Sequence, residues 1–207
     1  MSITQVLTNP NTFFAEKTRT EVEMKTPILI ILVIAVLGAI NAVIMTQKIM
    51  EILPPEAATF AGIGAIAGAI GAFIASIIMW VIYSGVFYAI SSILGGEGTF
   101  KRVLEVVAYG FIPSIASGII GIIVMATSFS VENLDLQNPE LLQQAIINDP
   151  TMRMSMIVGI LFTLWSANIW IFGLVHARHM SVKNAAISVL VPVGLYILYT
   201  ARHFIGA

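Results

Sequence analysis

The sequence AATFAGIGAIAGAIGAFIASIIMWVIYSGVFYAISSILGG, residues 57–96, decides the fold because it contains no charged residue over twice the length of an ordinary membrane span. It can form one long tilted helix over about residues 60–94, or a hairpin of two short spans that turns near Ala75. The first interpretation gives the whole chain five transmembrane helices, and the second gives it six. No Pro, Asn or Asp provides a turn signal near Ala75.

The distribution of Lys and Arg separates the two interpretations. Five spans place seven of these residues on one side of the membrane and three on the other, whereas six spans divide them five to five. Cytosolic loops carry an excess of Lys and Arg, so we predict five spans, a cytosolic N-terminus and a C-terminus outside. The predicted cytosolic residues are Lys17, Arg19, Lys25, Lys101, Arg102, Arg178 and Lys183, and the others are Lys48, Arg153 and Arg202.

The composition also indicates a chain embedded in lipid. Hydrophobic residues make up 58% of the chain and charged residues only 10%, and the mean hydropathy is +0.95. Soluble domains carry about a quarter charged residues. We expect an all-α fold, with a cytosolic arm over residues 1–26 and one membrane domain over 27–202. The predicted spans are residues 27–45, 60–94, 103–129, 151–175 and 185–201.

The arm contains Asn9-Pro10, a pattern typical of a helix N-cap followed by proline at the first helical position. Phe13 and Phe14 follow next to basic residues, which favours a short helix at the level of the lipid headgroups. We therefore predict that Phe13 and Phe14 lie at the membrane interface. The alternative is a solvated leader that frays.

Small residues recur at helical spacing in two of the predicted spans. Such stripes allow close contact between helix backbones in lipid. We expect the two stripes to pack against each other, and a contact between copies of the chain is the alternative. The first stripe is Gly64, Gly68, Ala72 and Ser76, and the second is Gly110, Ser114 and Gly118.

Few residues suggest chemistry. GGEGTFKR, residues 95–102, lacks the lysine followed by Ser or Thr of a nucleotide-binding loop, and Thr99 is expected to cap the next helix. His176 and His179 are too few to hold a metal, and Arg178 between them would repel it. We predict no catalytic residue, cofactor or metal site. A net charge of −1 and the absence of cysteine give no indication of nucleic-acid binding or of disulfides.

Three segments resemble the YIP family, five-span membrane proteins named for interaction with Ypt/Rab GTPases. They are NPNTFF at residues 9–14, KTPILIIL at 25–32 and GGEGTFKRVLEVVAYGFIPSI at 95–115. The matching motif positions are Pro27, Gly95, Gly96, Phe100, Tyr109 and Pro113. The resemblance implies a cytosolic N-terminus. The short arm puts GTPase binding in doubt and suggests a prokaryotic-type member in the cell membrane, for which the family offers no established activity.

The residues and the resemblance together favour a non-enzymatic scaffold or adaptor that organises or shapes membrane. Its partners would be the lipid bilayer and other membrane proteins or a second copy of itself, not nucleic acid. One alternative is a channel or transporter with Tyr109 and a kink at Pro113 along a polar path. Another is a lipid-modifying enzyme, which would need its polar groups to converge at one membrane face, namely Arg102, Glu105, His176, Arg178 and His179.

Overall fold

The computed structural model describes residues 2–131 and 138–205 of the chain. Every regular element in that part of the chain is a helix, which confirms the all-α prediction. The nine helices described are α1 Ile3–Thr8, α2 Pro10–Lys17, α3 Lys25–Met50, α4 Pro55–Ile93, α5 Phe100–Gly110, α6 Ile112–Thr127, α7 Pro139–Asn148, α8 Pro150–Ala177 and α9 Val182–Ile205.

Up to five helical segments of the described chain can cross a membrane, if the one bent helix pair forms a single span. Among the described residues, α3, α4, α8 and α9 are each long and apolar enough, and the fifth segment is the bent pair of α5 and α6. Large apolar side chains on these helices point outward, as in Leu29 at 62%, Ile66 at 65% and Leu195 at 63% exposed. So much exposed apolar surface is favourable only next to hydrocarbon. The chain is an integral multi-pass membrane protein.

The uncharged stretch forms a single continuous helix. α4 contains 39 residues and has no break near Ala75, which confirms the interpretation as one long helix. At about 1.5 Å rise per residue it is about 58 Å long, and the hydrocarbon core of a bilayer is only about 30 Å thick. α4 must therefore tilt strongly or extend beyond the core.

The helix pair α5 and α6 bends by 41° around Phe111. Pro113, the second residue of α6, has no amide proton to donate to the preceding turn. The Phe111 amide bonds the Ala108 carbonyl oxygen at 3.1 Å, one residue closer than in an α-helix. The Val107 carbonyl oxygen instead accepts a hydrogen bond of 2.8 Å from the Trp170 indole of α8. The predicted bend at Pro113 is therefore present, and α8 satisfies the backbone there.

The two small-residue stripes face different partners, so the prediction that they pack against each other is wrong. α3 lies between α4 and α6 because a connection of only four residues, 51–54, makes α3 and α4 antiparallel neighbours. Gly38 of α3 faces Ser76 of α4, and a Cβ added at Gly38 would lie 3.3 Å from the Ser76 hydroxyl. Ser76 itself bonds the Ala72 carbonyl oxygen at 2.9 Å.

The other stripe residues divide between buried and open positions. Gly118 faces Leu37 of α3, whereas a Cβ at Gly110 would lie only 2.0 Å from the Trp170 indole nitrogen. Gly64 and Gly68 have no atom within 4 Å of such a Cβ and lie on the outer surface of α4. Close backbone contact is thus used at some stripe positions but not along either whole stripe.

Candidate functional site at the arm end of the bundle

We use "arm end" for the end of the bundle that contains α1, α2, the 94–99 loop and the 178–181 loop. Asn9 caps α2, since its side-chain oxygen accepts from the Thr12 amide at 3.3 Å. The prediction for Phe13 and Phe14 is wrong, because their rings lie inside the protein at 3% and 0% exposure rather than at the membrane interface. They form edge contacts with Tyr109 of α5, with ring centroids 5.2 and 6.2 Å away.

A surface formed by α5 and α8 accommodates the arm. Phe14 approaches Gly173 of α8, where a glycine leaves room for the ring. Val6 of α1 is fully buried as well, and the Trp165 indole donates to the Leu7 carbonyl oxygen at 3.2 Å. Full burial in the protein removes more apolar surface from water than partial insertion among headgroups. The arm is therefore part of the folded core.

An ion-pair network fixes the rest of the arm. Glu105 of α5 is fully buried, and its carboxylate oxygens lie 3.3 Å from Lys17 Nζ and 2.5 Å from Arg102 Nη1. The same carboxylate accepts a hydrogen bond of 3.1 Å from the Glu23 amide. Arg102 also donates to the Thr20 carbonyl oxygen at 2.5 Å. Because an unpaired buried charge is costly, Glu105 strongly favours the docked position of residues 17–23.

Lys17 shares this environment. Its ammonium group lies 3.2 Å from the Glu23 carboxylate in addition to its contact with Glu105. Burial alone would lower the pKa of Lys17. The nearby Tyr109, Glu23 and Glu105 outweigh that effect and raise the pKa above its usual value. Lys17 is thus charged at neutral pH and holds the arm to α5.

Arg178 joins the 94–99 loop to the end of α8. It is 2% exposed, and its guanidinium group lies over the Tyr88 ring at 4.3 Å from the centroid. The guanidinium donates to several oxygens of residues 91–98: Ser91 at 3.1 Å, Ser92 at 2.7 Å, Gly96 at 2.6 Å, and the Gly98 carbonyl oxygen. The Glu97 amide donates to the Arg178 carbonyl oxygen at 2.8 Å. Sequence reasoning missed this role, although a lone arginine next to a predicted span was a signal for it.

The glycines of the 94–99 loop permit this close approach. A Cβ at Gly96 would lie 2.8 Å from the Ser91 carbonyl oxygen. Gly98 has φ +119, and its Cβ would meet the Ala177 carbonyl oxygen at 2.6 Å. Gly95 has φ +79, which glycine adopts easily. The motif positions Gly95 and Gly96, and Gly98 beside them, therefore have a backbone role.

The remaining motif positions lie in or next to the core. Pro27 is buried in the first turn of α3. The Phe100 ring contacts Tyr88 at a centroid distance of 5.6 Å. Tyr109 packs on the arm, and Pro113 is buried in α6 next to the bend.

A cavity of about 540 Å³ opens at the arm end between the arm, the start of α5 and the end of α8. We call it the arm cavity. The His176 ring nitrogen Nε2 lies 2.8 Å from the Asn11 side-chain oxygen at its wall. The arm cavity is lined by Arg102, His176 and His179, three of the five polar residues that a lipid-modifying enzyme would need. The other two, Glu105 and Arg178, belong to the networks above. The lining residues are Thr18, Glu21, Val22, Gly98, Thr99, Lys101, Arg102, His176, Ala177 and His179.

His179 has an unusual backbone conformation. Its φ of 49° places it in the left-handed region just after α8. The Met180 amide bonds the Val175 carbonyl oxygen at 3.1 Å, the closing bond of a helix end at which glycine is the usual residue. A non-glycine residue there costs about 1 kcal/mol. A histidine at this position of the arm cavity therefore makes the fold less stable than a glycine would.

A second polar surface lies toward the opposite end of the bundle. A groove of about 380 Å³ between α6, α8 and α9 is lined by hydroxyl groups, including those of Ser114, Ser155 and Thr200. An aromatic layer lies between the groove and the arm cavity along α8, since Trp170 follows the groove residues and precedes His176. Its rings are Tyr83, Phe87, Phe111 and Trp170, with centroids 5.1 to 5.8 Å apart in contacting pairs.

The sequence profile of the Yip1 domain matches residues 4–202, nearly the whole chain. The chain belongs to the Yip1 domain family. This Yip1 domain is similar to the uncharacterized protein MJ0794 of Methanocaldococcus jannaschii, with 39% identity over 122 residues that cover 59% of this chain and 86% of the relative. An archaeal relative supports a prokaryotic-type member. No solved structure matches the chain significantly.

Within the described part of this Yip1 domain, no group of three or more His, Cys, Asp or Glu side chains is arranged to hold a metal ion. The buried charged residues in this described part are Lys17, Glu105 and Arg178, and all three join segments of the chain. The site that the structure assembles is therefore a polar face, held together by buried charges, that contains the arm cavity.

Proposed function

We propose that this Yip1 domain is a non-enzymatic membrane scaffold whose arm end is cytosolic and recruits partner proteins. The observation that carries the proposal is the docking of the arm by buried ion pairs, which makes the arm end one rigid surface. Rigid surfaces bind partners with a smaller loss of conformational entropy than mobile tails. Around the buried network lie exposed charged side chains of both signs, including Glu21, Glu97 and Lys183.

Charge distribution supports the cytosolic orientation. The arm and the two loops of the arm end, with the helix turns next to them, carry the seven Lys and Arg residues named above, against three at the opposite end. That bias is typical of a cytosolic face. In a prokaryotic cell the membrane in question would be the cell membrane.

Site-specific photo-crosslinking in native membranes tests the proposal. A photoreactive residue is placed at exposed Glu97 or Lys183 of the arm end, and at exposed Glu51 of the opposite end as the matched control. The scaffold role predicts discrete protein adducts at Glu97 and Lys183 and none of the same adducts at Glu51. Adducts with lipid alone at all three positions would contradict it.

The hydroxyl-lined groove favours a second candidate, a path for a small solute. Its side chains could replace part of a solute's hydration, but the aromatic layer interrupts the polar surface before the arm cavity. Flux through proteoliposomes tests this candidate. The scaffold role predicts no flux above that of empty vesicles, and a saturable flux abolished by Ser155→Val would favour the transport role.

A further inference from the structure

Three segments far apart in sequence build the arm cavity. Residues 18–22 of the arm, 98–102 at the start of α5 and 176–179 at the end of α8 form its walls. The ion pairs of Glu105 and the hydrogen bonds of Arg178 hold these segments in place from behind. The cavity is therefore prearranged, and its volume of about 540 Å³ is in the range of small-molecule sites.

The charge of the lining is predominantly basic. Lys101, Arg102 and two histidines face one carboxylate, that of Glu21. Arg102 is already balanced by Glu105 behind the wall. Arg19 lies beside the cavity in the arm and is exposed. The His176 Nε2 already contacts the Asn11 side-chain oxygen, so Lys101 and the His179 imidazole remain as donors that can converge on an anion.

The conformation of His179 is independent support for a role of its side chain. Stability alone would place glycine at this end of α8, and the chain carries an imidazole there instead. Departures from local structural preference are expected at functional sites. The start of α5 adds favourable potential, because the first turn of a helix attracts negative charge.

We propose that the arm cavity binds a phosphate group through Lys101 and His179, next to His176 in the cavity wall. The group is either the headgroup of an anionic phospholipid or part of a soluble phosphate compound, because both present the same oxygens. This inference goes beyond the scaffold role and does not depend on it. It requires only that the cavity be open at the membrane surface.

Binding is measured by NMR on the full chain with ¹⁵N-labelled histidine in nanodiscs. The first titration adds inorganic phosphate to nanodiscs of phosphatidylcholine, with sodium chloride at equal ionic strength as the control. The second experiment replaces part of the lipid with phosphatidic acid. Shifts of the His176 and His179 signals in the first experiment identify a soluble phosphate, and shifts in the second experiment alone identify a lipid headgroup.

Three variants make the test specific. Lys101→Gln and His179→Gly are each expected to weaken binding about tenfold, the effect of losing one charged hydrogen bond. Lys183→Gln removes an exposed lysine outside the cavity and should leave binding unchanged. Because His179→Gly favours the backbone conformation, the chain should stay folded, and the His176 signal still reports on the site. The proposal is overturned if neither source shifts the two signals, or if Lys101→Gln and His179→Gly bind as tightly as wild type.

Discussion

Removal of the Glu105 charge should release the arm. Glu105→Gln keeps the size of the side chain but leaves Lys17 and Arg102 facing a neutral amide. Breaking a buried ion pair from one side costs about 3–5 kcal/mol. Lys17 keeps its contact with Glu23, and Arg102 is 14% exposed, so we expect a value near the lower end of that range.

The chain contains no cysteine, which provides a direct assay. Val6 of α1 in the arm is fully buried, so a single Val6→Cys reacts with a thiol reagent only when the arm opens. A loss of about 3 kcal/mol raises the open fraction, and therefore the labelling rate, about 100-fold. Glu97→Gln, which removes an exposed carboxylate of the same end, is the matched control and should leave the rate unchanged.

A double-mutant cycle isolates the ion pair. In a Lys17→Met background, Glu105→Gln should cost less by about 1 kcal/mol or more, because one of the two stranded cations is gone. If Glu105→Gln changes the labelling rate by less than about threefold, the reasoning is refuted. Removing a buried carboxylate that has two cationic partners must destabilise the docked arm.

Three substitutions and one control substitution test other parts of the structure by thermal unfolding in a fixed detergent. Gly110→Ala should destabilise the fold by about 1–3 kcal/mol, because its methyl group would overlap the Trp170 indole. Gly64→Ala is the control and should not destabilise the fold, because Gly64 faces open space. Equal effects of the two substitutions would contradict the packing described. Arg178→Lys should lower the free energy of unfolding by about 3 kcal/mol although the charge is kept, because an ammonium group cannot reproduce the planar set of hydrogen bonds. A variant as stable as the wild type would argue against that network. His179→Gly should unfold at the same or a higher temperature, with a gain of up to about 1 kcal/mol, and a clear loss would show that the imidazole stabilises the fold.

Local signals in the sequence predicted much of the fold. An uncharged stretch without turn residues specifies one helix, and α4 is continuous across Ala75. Proline favours a bend where it removes a backbone donor, as at Pro113, although α9 continues through Pro192. Side-chain caps are equally local, and Asn9 and Thr99 accept the hydrogen bonds expected of them. Each of these outcomes depends on residues within a few positions of one another.

Long-range packing could not be predicted in the same way. Phe13 and Phe14 suit either a headgroup layer or a protein groove, and the choice depends on the surface that α5 and α8 present. The small-residue stripes allow close helix contact but do not determine which helix makes it. The short 51–54 connection makes α3 the neighbour of α4. The sequence predicts Arg178 only as a cytosolic charge, because its acceptors lie about 80 to 87 residues away.

The central claim is that the arm and the membrane domain form one body in the membrane. The Asn11 and His176 side chains are in contact at 2.8 Å, so Asn11→Cys with His176→Cys should react with a short bifunctional thiol reagent in native membranes. Asn11→Cys with Glu51→Cys, at opposite ends of the bundle, is the control pair. The account predicts efficient crosslinking of the first pair alone. Absence of the crosslink in the first pair, although its cysteines react with a monofunctional thiol reagent, would show that the arm is not docked.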